Sequence, residues 1–324
     1  MMTRRVICAL PLLLAASGAV AETGETITLR AADPETDEKV VALARQLTGA
    51  GVPVSPAPGY GPLGNLAGLL EHRQAEVAVL PASLMLYLRQ INRGDTAGSL
   101  RYIARFESLP VHILARQPVG SITQLSGQPV GFGANDSLSF ITATELFKLL
   151  NVPVRPFAAA PADALRMVRR GQLAALVYVG DVPARLFFDL NRQEDSLQFV
   201  PVPLTPALTR TYVPAQLNIQ DYPLLIGEGE AGSGTPVSTV AVPMLLAVYD
   251  WPADSDEYRR LSRFATTYAR AGSLGNDIRD WVRFVPNLAP RHPVAHALPN
   301  QPPTLTPQQR ESIFREFEKS QQGQ

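Results

Sequence analysis

The chain has 324 residues, with 29 basic and 29 acidic side chains, 18% charged residues, four histidines and one cysteine. That length builds one large domain or two medium ones. The zero formal net charge argues against a nucleic-acid-binding or polybasic membrane-binding surface, and a lone cysteine excludes a thiolate zinc site or a disulfide framework within one chain.

Met1 to Ala21 reads as an export leader. Arg4 and Arg5 supply the positive start, Val6 to Ala16 the apolar run, and Ala19-Val20-Ala21 an A-x-A cleavage site. The apolar run is shorter than the ~20 residues of a membrane span. Cleavage after Ala21 would remove Cys8, Arg4 and Arg5. It would leave a slightly acidic, cysteine-free protein in the periplasm.

The elements that follow alternate. Thr26 to Arg30 has the β-branched alternation of a strand, and Asp37 to Gln46 has helical spacing behind an Asp33-Pro34 start. Val52 to Val54 predicts a strand, and a Pro/Gly stretch, Ala57 to Pro62, opens a helix through Leu70. Glu76 to Leu80 predicts a third strand, with Pro81-Ala82-Ser83 turning into a helix over Leu84 to Gln90. This βαβαβα order favours a parallel sheet covered on both faces. Two strands, Leu100 to Phe106 and Pro110 to Arg116, are expected to flank Glu107-Ser108-Leu109. The alternation then restarts: strands at Pro129 to Phe132, Val152 to Phe157 and Ala174 to Val179, and helices at Leu138 to Leu150 and Pro161 to Arg170. Thr239 to Val248 predicts a long apolar strand running back between the two clusters. Residues 251–285 have helical spacing, and Pro299 to Pro307 is a Pro-rich linker before a short amphipathic helix carrying Ile313, Phe314 and Phe317.

Catalytic motifs carry little weight. Gly227 to Gly232 spells G-x-G-x-x-G, but Ser233-Gly234-Thr235-Pro236 cannot open the helix that a dinucleotide fingerprint requires. His292 and His296 are separated by Pro293, which spoils a helical metal pair. There is no G-x-S-x-G elbow or P-loop, and His72 and His112 have no evident serine or carboxylate partner. An enzyme is therefore not expected, nor is a cofactor or a metal. An exported α/β chain of two lobes instead points to a solute receptor with its ligand in the cleft. There, helix N-termini offer anion-binding N–H groups.

Several segments resemble the TAXI receptors, the TRAP-associated extracytoplasmic immunogenic solute-binding proteins. They are LRYIARFESLPVHILAR from Leu100, SITQLSGQPVGF from Ser121, DALRMVRRGQLAALVYVGDVP from Asp163, the Y-x-P of Tyr212 to Pro214, and VSTVAVPMLL from Val237. The resemblance covers about Val52 to Asp250. It implies a two-lobed type II periplasmic-binding-protein fold, hinged over a small solute. The first lobe would be 22–108 with 239–296 and the second 109–238, with 1–21 the leader and 297–324 an extension. Ligand contacts implied for the second lobe are Gly133, Asn135, Asp136 and Ser137, and Tyr178 and Gly180 around Val179. For the first lobe they are Asp33, Gly59, Tyr60, Gly61 and Ser83. Gly59 and Gly61 also read as turn residues, and Asn135 and Ser137 as helix caps.

The sequence departs from the family in its first loop. Where the family has a Gly/Thr-rich loop running into a Tyr, the chain has Ala31-Ala32-Asp33-Pro34-Glu35-Thr36. Pro34 removes a donor, the two carboxylates disfavour an anion, and Ala82 replaces a polar residue. The implied partners are a small solute and the membrane subunits of a TRAP-type transporter. An accessory or sensor subunit engaging another inner-membrane protein is the alternative. Nucleic acid is not an expected partner.

Overall fold

The computed structural model describes residues 26–32, 37–70, 76–90, 99–227 and 234–271. Three βα units open the chain. They are β1 (Ile27–Arg30) with α1 (Asp37–Gly49), β2 (Val54–Ala57) with α2 (Gly61–Leu70), and β3 (Val77–Pro81) with α3 (Ser83–Gln90). β1 pairs in parallel with β2 on one side and β3 on the other. Ile27 and Leu29 point into the core against Val40, Leu43, Ala44 and Leu47 of α1. This is the helical stripe read from the sequence meeting the period-2 face of a strand.

A 17-residue strand, β4 (Leu100–Arg116), leads into a second set. This comprises β5 (Pro129–Gly133), α4 (Leu138–Leu149), β6 (Arg155–Ala158), α5 (Pro161–Arg169) and β7 (Ala175–Val179). Short pieces follow, α6 (Arg192–Asp195), β8 (Leu197–Phe199), β9 (Val213–Leu217) and α7 (Pro223–Ile226). The chain then returns through β10 (Val237–Tyr249) to α8 (Asp256–Ala271). The strand order is β2-β1-β3-β10-β4-β7-β5-β6, with β8 on β4 and β9 on β10.

This order makes a two-lobed α/β fold. Residues Leu100 to Pro110 of β4 pair antiparallel with β10, whereas Val111 to Ala115 pair with β7. In β10, Met244 to Ala247 pair with β3 and Val237 to Ala241 with β9. β4 therefore belongs to both half-sheets, whereas β10 lies in the first, between β3 and β4, and pairs with β9 at its start; the chain passes between the lobes along these two strands. Tyr268 on α8 donates its hydroxyl to the Arg105 carbonyl of β4 (3.0 Å), and Arg260 pairs with Glu76 (2.6 Å). Together they hold the last described helix against the first lobe.

The structure corrects several expected boundaries. The two strands read at Leu100 and Pro110 are one, because Glu107 and Ser108 stay in the ladder opposite Met244 and Pro243; their polarity imitates a turn. The second strand begins at Val54, two residues later than expected, and runs through Pro56, which an edge strand tolerates. The sixth begins at Arg155. The last described helix spans Asp256–Ala271; the expected remainder to 285, the Pro-rich linker and the C-terminal helix lie outside the described residues, as does the leader. β8 and β9 carry no strand pattern long enough to read.

Leu261, Phe264 and Ala265 on α8 are fully buried. Phe264→Ala should lower the unfolding free energy by about 3–5 kcal/mol, read from urea denaturation. A loss below about 1 kcal/mol would mean that this helix is not seated in the core.

Candidate functional site

Every helix that follows a parallel strand starts where that strand ends, so the N-termini of α1, α2, α3 and α4 gather at the C-terminal edges of the two half-sheets. Open α/β sheets hold ligands at such edges. Three contacts show that the two edges meet. The Ser83 hydroxyl at the head of α3 lies 3.2 Å from the Thr142 hydroxyl of α4. A Cβ built on Gly61 would stand 3.2 Å from the Asp136 carbonyl oxygen. Lys39, in the first turn of α1, reaches Asp181 beyond β7 at 2.5 Å. We call this junction the seam.

On the first-lobe side Asn65 organises two loops. It lies fully buried inside α2, and its amide donates to the Ala31 carbonyl at 2.6 Å while its Oδ1 accepts from Tyr60 N–H at 3.0 Å. Gly59 is required by the same packing: a Cβ there would lie 2.6 Å from the carbonyl oxygens of Ala31 and Ala32. Gly61 takes φ +74, the left-handed conformation that glycine adopts freely. Tyr60 is exposed, and its ring covers the guanidinium of buried Arg30 at 4.7 Å, a cation–π contact. Arg30 also donates to the Pro58 carbonyl, while its Nε is buried without a hydrogen-bond partner.

On the second-lobe side the loop from Gly133 to Ser137 turns through two left-handed residues, Gly133 (φ +91) and Asp136 (φ +60). Ser137 caps α4 by accepting from Phe140 N–H at 3.2 Å. Ser139 accepts from Val179 N–H and ties α4 to the end of β7. Asn135 and Asp136 are exposed on the loop. Tyr212, fully buried, donates its hydroxyl to the Thr142 carbonyl at 3.0 Å.

The charges in the seam are unequal. Lys39 stands 2.5 Å from Glu107 of β4 as well as from Asp181. Burial works against its ammonium, but hydrogen bonds to Asp181 and Glu107 outweigh that and hold its pKa above the ordinary lysine value. Burial pushes the Glu107 carboxyl up, against the hydrogen bond and charge of Lys39 that pull it down. Its second oxygen is buried without a partner. Tyr87 of α3 is also raised, first by burial and then by the charges of Asp136 and Glu145.

Of the residues expected from the sequence, the structure brings Gly59, Tyr60, Gly61, Ser83, Gly133, Asn135, Asp136, Ser137 and Gly180 to the seam. Tyr178 is not brought there. It alternates with Val177 and Val179, so its ring turns to the opposite face, toward His112 and Phe187, and covers Gly180. Asp33 lies outside the described residues. Lys39, Asn65, Glu107, Thr142 and Asp181 were not among the expected residues. A lysine in the first turn of a helix opposes the helix dipole, and Asn65 interrupts an apolar helix; these were the readable signals.

Behind the second lobe's sheet, His112 is fully buried among Tyr178, Phe187, Phe199 and Tyr222. Its Nε2 lies 2.8 Å from the Tyr222 hydroxyl, which accepts from Ala184 N–H at 2.7 Å. Two hollows of about 360 and 320 Å³ open in this lobe, beside Phe199 and beside Phe147. The first is lined by Gln198, Phe199, Leu225 and Val237, the second by Phe132 of β5 with the end of α4 and residues 151–154 and 156. Among the described residues no cluster of His, Cys, Asp and Glu could hold a metal, and no helix is long and apolar enough to cross a membrane.

No protein-family model matches the chain, and no curated protein sequence matches it. Among solved structures it resembles YhfZ from Shigella flexneri, with TM-score 0.44 and 15% identity over 78% of this chain and 93% of that one. A TctC solute binding protein from Polaromonas gives TM-score 0.44 and 16% identity over 81% and 88%. The VFT2 domain of BvgS from Bordetella pertussis gives 0.43 and 15% over 80% and 91%. Likeness at this level says nothing about a ligand, and the fold rests on the strand order described above.

Burial pushes the His112 pKa down to about 4 from 6.5, so the folded protein keeps this ring neutral where an unfolded chain takes up a proton. Its contribution is complete above about pH 6.5, falls as pH drops toward 4 and is flat below, a change of about 3 kcal/mol. Urea denaturation from pH 7 to 4 should show this fall, and His112→Gln should flatten it. An unchanged slope in that variant would contradict the assignment.

Proposed function

We propose that the chain is an extracytoplasmic solute-binding protein that captures a small solute at the seam between its lobes. The observation that carries this reading is the convergence of the strand ends and helix N-termini of both lobes on one junction. That junction is furnished with a glycine-shaped loop on each side and with polar groups contributed by both. Such an arrangement gives a solute contacts on two bodies at once, so binding favours their closed approach. The export leader supports a periplasmic location. The change of partners in β4 between Pro110 and Val111, and in β10 around Ala241 to Met244, supports lobes of 22–108 with 239–296 and 109–238. Asp33, Gly59, Tyr60, Gly61, Ser83, Gly133, Asn135, Asp136, Ser137 and Gly180 are the residues assigned to the solute; Tyr178 supports the loop from behind. Chemically, the seam combines helix N-terminal N–H groups with carboxylates, so a polar solute bearing both acceptor and donor groups suits it.

The sequence resemblance to the TAXI receptors supports delivery of that solute to a TRAP-type membrane transporter. A second reading, an accessory or sensor subunit engaging a membrane protein, is favoured by two features of the seam. Lys39 is already satisfied by the chain's own carboxylates, and Ala82 and Ser83 are fully buried. Crosslinking in the periplasm separates the readings: a transporter subunit supports the first, a signalling or assembly protein the second.

A panel of carboxylates, amino acids and amines tests solute capture. A true ligand at about 100 times its Kd should stabilise the fold by about 2.7 kcal/mol, raising the Tm by several degrees in a thermal-shift assay. A broad panel without a stabilising compound would overturn solute capture.

A further inference from the structure

We infer that Lys39 is an electrostatic latch that holds the two lobes together across the seam. The inference rests on the reading of that seam as a cleft that opens. Lys39 belongs to the first lobe through α1 and Asp181 to the second through β7, yet they meet at 2.5 Å although 142 residues separate them. Glu107 differs from Asp181 in kind. It lies on β4, the strand common to both lobes, and its side chain is 13% exposed against 44% for Asp181. When the lobes part, Lys39 keeps the anchored Glu107, and the contact with Asp181 is the one that breaks. Arg101–Asp250, Arg260–Glu76 and Arg169–Asp195 each stay within one lobe and have no such lever.

The position of Lys39 has no local explanation. A cation in the first turn faces the positive end of the helix dipole, so helix formation would be better served by an acidic or neutral residue there. The cost is offset by two carboxylates that the tertiary fold delivers. Because the Lys39 side chain is itself 40% exposed, the bridge is open to screening by salt. Partly exposed pairs of this sort shift an equilibrium by up to about fivefold. That is enough to bias closure and small enough for a solute bridging the same lobes to override.

Thiol labelling tests the latch in the full chain with Cys8→Ser. Ser83→Cys places a probe at a fully buried position of the seam, and Ala265→Cys places one in the core under α8. Asp181→Asn should raise the labelling rate at position 83 up to about fivefold and leave position 265 unchanged. Addition of 1 M NaCl should act likewise, but not in the Asp181→Asn background. Lys39→Met should give no additional acceleration when combined with Asp181→Asn. A rate at position 83 that ignores Asp181, or equal acceleration of both probes, overturns the latch. Equal rates at the two probes before any charge is changed would mean that the seam opens only by global unfolding, which overturns the receptor reading itself.

Discussion

The antiparallel ladder between β4 and β10 is the constraint on which the other features depend. Nine residues of β10, Ala241 to Tyr249, are matched to β4 from Pro110 back to Leu100, and both strands then continue into other partners. Most of their side chains are buried, Val240, Val242, Met244, Leu246 and Val248 on one face of β10 among them. A ladder this long and this apolar cannot slip by one residue without turning that whole set to the other face. The register therefore fixes where the first half-sheet ends and the second begins. Because β1, β2 and β3 run parallel on one side and β5, β6 and β7 on the other, fixing that junction also brings their C-terminal ends face to face.

Polar chemistry at the seam follows from this placement. Thr239 sends its hydroxyl to the Val111 carbonyl at 2.6 Å, between the two long strands where they change partners. Asn65 gathers the loops after β1 and β2, and Ser139 fastens α4 to β7. Each satisfies backbone groups that strand ends leave open, and buried backbone groups are costly when unpaired. The loops facing one another across the seam are therefore held by their own lobes. Between the lobes, Ser83 meets Thr142, Lys39 meets Asp181, Gly61 stands against the Asp136 carbonyl, and Ile141 of α4 is buried among Leu66, Leu84 and Leu88 of the first lobe.

Much of this was legible in the chain. The β-branched alternation of Ile27 to Arg30, the apolar ALVYV of β7 and the helical spacing of Leu261, Phe264 and Tyr268 all became the elements their periodicity predicts. Gly59 and Gly61 were legible as special residues, although packing on Ala31 and Ala32 explains the first and backbone conformation the second. Tyr178 shows how period-2 alternation separates neighbours: beside Val177 and Val179 it had to face the other way. The charged bridge was not legible, because nothing local links Lys39 to residues 107 and 181. It arises only when β4 and β7 pair. The polar Glu107-Ser108 step reads as a break in isolation and becomes strand only because β10 supplies partners on the other side.

The proposed binding of a solute where the strand ends of the two lobes meet can be read from the backbone of both. Backbone hydrogen–deuterium exchange, with and without a solute that raises the Tm, addresses it most directly. Slowed exchange at both 58–61 and 133–140, one segment from each lobe, is the result predicted. Protection confined to one lobe, or centred on the hollow beside Phe199, would contradict it.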